Sequence, residues 1–367
     1  MTKHSDAATD GRTAPVSPSR NPYAELPPKA FWRSGVVEQE PQQLPGIYRK
    51  KFEIPENAKI GVAGSCFAQH ISRHLKKHGY GVLDMEPPPP ALPPELHSKF
   101  GYSIYSARYG NIYSTAQLLQ LAAEASGQWT PAAHVWTRDG RYFDALRPSV
   151  EPDGLDDPEE VEEHRRFHLG QVRGLFQQLD VFIFTLGLTE CWVHAESGTI
   201  FPMAPGQAFG DLPGERFVFR NLQFLDVLQQ FHKFQEILQK MRGKRPYKIL
   251  LTVSPVPLTA TASGKHVLEA TTHSKAILRA VAGQLALNQP HIDYFPSYEI
   301  VTNPRWQSAA FAPNLRSVRE ETVEVVMRHF FSEHLPLKGA KDASPAVNER
   351  TVEDVHCEES MIKANWM

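Results

Sequence analysis

Residues Gly64-Ser65-Cys66-Phe67-Ala68 join a short apolar run to a segment of helical periodicity. Two nucleophile-bearing side chains, a hydroxyl and a thiol, stand side by side there. A strand-to-helix turn this tight favours glycine, which Gly64 supplies. Ser65 is placed to cap the helix through its hydroxyl. Cys66 then falls in the first turn, where unbonded N–H groups and the macrodipole favour a thiolate and can hold an oxyanion. This is the physics of a nucleophile elbow without the usual G-x-S-x-G spelling. The plain alternative is that Ser65 only caps and Cys66 only packs, since buried cysteine is common in cores.

Such chemistry needs partners, and the strands indicate where they lie. Four short apolar runs read as buried strands: 59–64 (KIGVAG), 180–187 (DVFIFTLG), 247–253 (YKILLTV) and 291–295 (HIDYF). Between and after them, residues 66–78, 158–178, 222–241, 266–287 and 318–334 have helical periodicity. In the third of these, Val227, Phe231, Phe234, Leu238 and Met241 recur at steps of four, three, four and three. The alternation predicts an α/β fold, a mostly parallel sheet between two helix layers. A weaker strand is expected at 81–85. Residues 132–150 and 194–220 read as excursions, a small β subdomain or lid.

In an open parallel sheet, ligands bind beyond the carboxyl ends of the strands. The four exits carry Ser65-Cys66, then Gly187-Leu188-Thr189-Glu190, then Ser254-Pro255-Val256-Pro257, then Pro296-Ser297-Tyr298-Glu299. Small, hydroxyl and carboxyl groups at every exit point to a pocket on that rim. Glu190 and Glu299 are placed to orient a histidine or bind a substrate hydroxyl, with a helix cap or ion pair as the structural alternative. As proton acceptor, His266 is preferred, because it follows the third exit by a short loop and would open a helix facing the rim. His70 lies one helical turn beyond Cys66. Its neighbours Arg73, His74, Lys76, Lys77 and His78 read as a solvated basic face. His273 and His194 stand in reserve. Arg108 and Lys275 are candidates to hold a carboxylate or phosphate, as in an acyl carrier such as CoA.

Composition narrows the classes. Hydrophobic residues make up 41% of the chain and glycines number 23, which supports a folded core and excludes wholesale disorder. The 39 basic and 41 acidic residues leave a net charge of -2, so no global field attracts nucleic acid. The 3 cysteines are too scattered for a disulfide framework or a paired zinc motif. No metal site is expected, and a reducing compartment fits. There is no secretory h-region and no apolar run near the ~18 residues of a membrane span, so a soluble cytoplasmic protein is expected. Proline density predicts a flexible arm over 1–45, a globular body over 46–336 and a mobile tail over 337–367.

The GSCFA string at 64–68 is joined, in order, by RYGNIY at 108–113, FTLGLTECW at 184–192, TVSPVPL at 252–258, HSKAILR at 273–279 and YFPSYE at 294–299. Over about residues 50–330 the chain thus resembles the GSCFA domain family, which is related in fold to the SGNH (GDSL-type) hydrolases. The resemblance implies a flavodoxin-like three-layer α/β/α sandwich. It also implies acyl-ester hydrolysis or O-acyl transfer on an acylated glycan or similar small substrate. No cofactor is required, beyond an acyl donor such as acyl-CoA if the reaction is transfer. Laid on the GDSL-type blocks, Gly64 matches the glycine, Cys66 takes the nucleophile's place and Ser65 that of the aspartate. A one-residue slip makes Ser65 the nucleophile. The second block's glycine falls on Gly110 or Gly101. The Gly-x-Asn block falls on Gly187-Leu188-Thr189. The final Asp-x-x-His block falls on Asn314-Leu315-Arg316-Ser317, without either catalytic side chain. The expectation is that Cys66, or Ser65, attacks an acyl carbonyl and His266 takes the proton. Amides of residues 65–67, with Gly110, Asn111 or Thr189 opposite, would hold the oxyanion. The rival is a non-catalytic protein that binds a glycan or acylated ligand in a degenerate site, which the missing Asp-x-x-His favours.

Overall fold

The computed structural model describes residues 21–206 and 216–335. Residues 1–20 of the expected arm and the whole expected tail lie outside them. The chain divides into two units between Ile47 and Tyr48. In the first, a 3-10 turn at Pro28–Ala30 is followed by a π-helical turn at Arg33–Val37. The Ser34 hydroxyl donates to Pro28 O at 2.7 Å and ties the two turns together.

In the second unit, β1 (Ile60–Gly64) leads at once into α1 (Phe67–Lys77). A long loop precedes α2 (Thr115–Ala125), and β2 (Val135–Arg138) and β3 (Arg141–Asp144) form a hairpin. Next come α3 (Pro158–Gln178), β4 (Val181–Leu186), β5 (Glu190–His194), β6 (Ile200–Phe201) and β7 (Phe217–Asn221). After α4 (Phe224–Arg242) and β8 (Lys248–Val253) follow α5 (Val267–Asn288) and β9 (Ile292–Tyr294). The last helices are α6 (Ser297–Val301), α7 (Gln307–Ala310) and α8 (Glu320–Phe331).

The central sheet is parallel, in the order β1-β4-β8-β9. Every residue of β1 and β4 is buried, as expected of strands covered on both faces. The weak strand expected at 81–85 contributes one parallel bridge, Ile60 to Val82, on the outer side of β1. Counting that segment as the second in the chain gives the spatial order 2-1-3-4-5. That is a doubly wound order, with its switch point between β1 and β4. Right-handed crossovers leaving in opposite directions put α1 on one face and α3, α4 and α5 on the other. Accordingly α4 packs between α3 and α5, while α1 packs on α8. This is the expected three-layer α/β sandwich.

Local chemistry fixes the element ends. Asp157 caps α3 by accepting from Glu160 N at 2.7 Å, with Pro158 at the first helical position. The excursions form two small sheets, the β2–β3 hairpin and the antiparallel β6-β5-β7. Asp139 and Gly140 turn the hairpin with φ of 50° and 76°, the left-handed pair a two-residue loop needs. The two sheets share one core of Trp136, Phe143, Ala145, Phe201 and Met203. No described helix is long and apolar enough to cross a membrane.

Candidate active site

The elbow is built around Gly64, whose φ is 140°. A Cβ there would lie 2.5 Å from Thr185 O and 2.7 Å from Thr185 N, so β1 reaches β4 this closely only with glycine. Ser65 N continues the parallel ladder by donating to Thr185 O at 3.1 Å. Because Ser65 still belongs to the ladder, the helix starts one residue later than expected. Cys66, not Ser65, is its N-cap residue, and neither side chain caps. The Ser65 hydroxyl is buried and meets no hydrogen-bond partner among the described residues. Ala68 N and Gln69 N close the first turn onto Ser65 O and Cys66 O at 2.8 and 3.1 Å. The Phe67 amide has no acceptor among the described residues.

Three strand exits, from β1, β4 and β8, meet around a cleft of about 230 Å3 measured to its open mouth, with enclosed room for about one water molecule. Ser65, Cys66, Tyr113, Gly187, Ser254 and Lys275 line it, with Leu188 and the 256–258 loop. Ser65 and Cys66 are only 2% and 5% exposed, so access to them is through this cleft. At Gly187 a Cβ would lie 2.9 Å from Tyr113 O and 3.0 Å from the Ser65 Cβ, so a larger residue would push the β4 exit off the elbow. Gly187 N and Leu188 N both donate to Tyr113 O, at 2.9 and 3.1 Å. Ser254 N donates to Leu186 O at 2.8 Å, and its hydroxyl accepts from Val256 N at 3.3 Å. Lys275 enters from α5, 2% exposed, and its ammonium donates to Gly187 O at 2.6 Å. Among the described residues lining the cleft, none is a histidine.

The other expected site residues lie elsewhere. His266 is exposed at the N-cap of α5, where its Nδ1 accepts from Leu268 N at 3.1 Å. With Leu268, Glu269, Thr272 and His273 it lines a separate surface hollow. His70 is buried, with Nδ1 3.7 Å from Glu320 on α8. His194 Nδ1 bonds Ser197 within the small β subdomain at 2.8 Å. The Thr189 hydroxyl donates to Asn221 Oδ1 at 2.7 Å, which occupies the proton it would offer an oxyanion. Glu190 accepts from the Thr261 hydroxyl at 2.6 Å. Asn111 is held by Tyr105 and Gln69 behind the elbow, next to Gly110 in a left-handed conformation. The fourth exit turns inward: Ser297 bonds the Thr252 hydroxyl and Val253 O, and Glu299 pairs with Arg279 and Tyr294. Arg108 is fastened to Phe100 O, Val150 O and Glu151, a structural tether rather than an open anion clamp. The 314–317 turn does reach the cleft wall, because Arg316 donates to Pro257 O at 3.1 Å.

The sequence shows both nucleophile-bearing residues of the elbow but not that Lys275 shares their cleft. Lys275 is legible there only as a cation for a carboxylate or phosphate; its HSKAILR context does not reveal a lysine turned inward to Gly187 O. Tyr113 is legible only within RYGNIY, since it meets the β4 exit through its backbone carbonyl.

A family model described as the GSCFA family matches residues 59–330. No curated protein and no solved structure matches the chain.

Proposed function

The chain belongs to the GSCFA family, and on that premise we propose that it is an acyl-ester hydrolase or O-acyltransferase whose nucleophile is Cys66. The observation that carries this reading is the shared cleft of a thiol-bearing helix N-terminus and a buried lysine. Ser65 is the weaker candidate, because an unpartnered hydroxyl has no base to activate it, whereas a thiol needs less help. A lysine ammonium beside Cys66 favours the thiolate and replaces the histidine of related schemes.

The thiolate adds to the acyl carbonyl, forming a C–S bond and moving the carbonyl electron pair onto oxygen. The Phe67 amide and the α1 dipole stabilise that oxyanion. Collapse expels the alcohol, which takes a proton from Lys275, and leaves a thioester. Water or an acceptor hydroxyl then attacks the thioester, passes its proton to the Lys275 amine, and the thiolate departs. The substrate class is an acylated glycan or a similarly small acyl ester.

Turnover of p-nitrophenyl acetate and of acetyl-CoA with a sugar acceptor tests this reading. Cys66→Ala is expected to lose at least ~100-fold in kcat/KM and Lys275→Met ~10–100-fold, with Ser65→Ala much closer to the parent. An active parent with all three variants unchanged contradicts the proposal.

A second reading is supported by the lining of the cleft, which holds no histidine among the described residues. On it the chain binds a glycan or acyl ligand without turning it over. An inactive parent that still binds an acetylated oligosaccharide, undiminished in Cys66→Ala, would select that reading.

A further inference from the structure

Two helices meet on the face opposite α4. Helix α1 carries His70 and His74, four residues apart, and α8 opens with Glu320 and Glu324, also four apart. Each pair therefore points from one face of its helix, and the two helices are in contact. His74 Nε2 lies 3.7 Å from Glu320 Oε1, and His70 Nδ1 lies 3.7 Å from Glu320 Oε2. Glu324 joins them: His74, Glu320 and Glu324 each offer a ligand atom within 4.8 Å of the other two.

We propose that His74, Glu320 and Glu324 form a binding site for a divalent transition-metal ion of the zinc class, with the His70 imidazole facing it. The nitrogen–oxygen separations of 3.7 Å are too long for hydrogen bonds. The one between His74 and Glu320 is close to the ~3.3–3.5 Å edge of a tetrahedron whose metal–ligand bonds are ~2.0–2.2 Å. The two imidazoles supply a second, independent observation. His70 and His74 are buried, and His70 Nδ1 has no hydrogen-bond partner among the described residues while facing Glu320. An imidazole nitrogen placed there beside a carboxylate, without a proton shared between them, has the arrangement that a bridging cation completes. Glu320 and Glu324 are exposed, so their carboxylates can close onto an ion by rotamer change alone. An imidazole and two carboxylates suit zinc better than calcium or magnesium. The site does not involve Cys66.

One competitor is present. Arg73 NH1 lies 3.8 Å from Glu320 Oε1, half exposed on its long stem. An exposed pair of that kind is weak, and the guanidinium can swing into solvent when an ion binds.

The test uses the full, tag-free chain stripped with a chelator and titrated with zinc by calorimetry, with thermal unfolding in parallel. The proposal expects one saturable site per chain, a higher Tm with zinc, and a Co2+ form with the absorption of a low-coordinate site. Glu320→Gln and Glu324→Gln, at exposed positions that leave packing intact, should each weaken zinc at least ~100-fold, beyond the ~10–100-fold seen for outer-shell partners. Cys66→Ala should bind zinc like the parent. No saturable binding to the parent, equal binding by both carboxylate variants, or loss of binding in Cys66→Ala each overturns the site.

Discussion

At Ser65 and Cys66 a single hydrogen bond decides which side chain does what. Because Ser65 N is held by Thr185 O, Ser65 stays tied to β4 just beyond β1 and the helix N-cap passes to Cys66. The sequence shows the glycine, the thiol and the hydroxyl, but not that register, since a cap and a last ladder residue call for the same short polar side chain. Gly64→Ala should cost roughly 3 kcal/mol or more, through a Cβ driven into the β4 backbone at a left-handed φ. Urea denaturation of the variant checks it, and a loss under 1 kcal/mol would mean the β1–β4 approach is looser than described. The thiols should also separate. Burial pushes the Cys191 thiol up to about 12, so native Cys191 should resist iodoacetamide, while Cys66 reacts through its cleft. Peptide mapping after brief alkylation reads this directly; equal labelling of the two would count against an activated Cys66.

At the scale of elements, the four sheet strands and five helices were legible because each repeats apolar residues at one period over its whole length. Helix α2 was not. Its apolar run LLQLAA is short, and its clearest sign is the reciprocal capping of Ser114 and Gln117, which only the folded chain makes explicit. Nor did the sequence show how α2, α3 and β3 are pinned together. Arg165 on α3 reaches Glu124 on α2 at 2.7 Å and Asp144 on β3 at 2.9 and 3.0 Å; Arg165 and Glu124 are buried, and the Asp144 side chain is 8% exposed. Single charges in a helical pattern look like surface residues, and nothing in a linear spacing reveals that they will be matched across three elements. Arg165→Met removes the shared partner, strands the buried Glu124 carboxylate and leaves Asp144 with Arg147 alone, so it should destabilise by about 3 kcal/mol at neutral pH. Part of that loss should return at acid pH, as the carboxylates protonate; a neutral-pH loss below 1 kcal/mol would show the network to be dispensable.

The whole molecule responds to pH through its buried titratable groups. His168 donates from Nδ1 to Glu86 at 2.7 Å. Burial, with Arg147 nearby, lowers the His168 imidazole to about 4. For Glu86, burial alone would raise the carboxyl, but His168, Arg147 and the Arg108 amide outweigh it and hold it at about 2. Both groups bind protons more readily in the unfolded chain. Stability is therefore full above the ordinary histidine range and falls as pH drops from 6.5 towards 4 through His168. It falls further below 4.5 through Glu86. His168→Gln keeps a donor for Glu86 without titrating, so it should flatten the upper part of that fall, worth at most about 3 kcal/mol. An unchanged slope between pH 6.5 and 4 would show that His168 is not the group responsible. The overall fold was legible from the strand–helix alternation, yet the site was only half so. A cleft at the switch point between β1 and β4 is a property of topology, whereas its membership depends on which loops fold over it.

The claim that Cys66 is the acyl-carrying nucleophile is tested most directly by trapping the intermediate. The native chain is mixed briefly with p-nitrophenyl acetate or acetyl-CoA, quenched in acid, digested and mapped by mass spectrometry. The account predicts one acetyl group on the peptide that contains Cys66, removed by hydroxylamine as a thioester should be, and absent from both Cys66→Ala and the denatured chain. An acetyl group that never appears there, or that appears equally on the denatured chain, would contradict it.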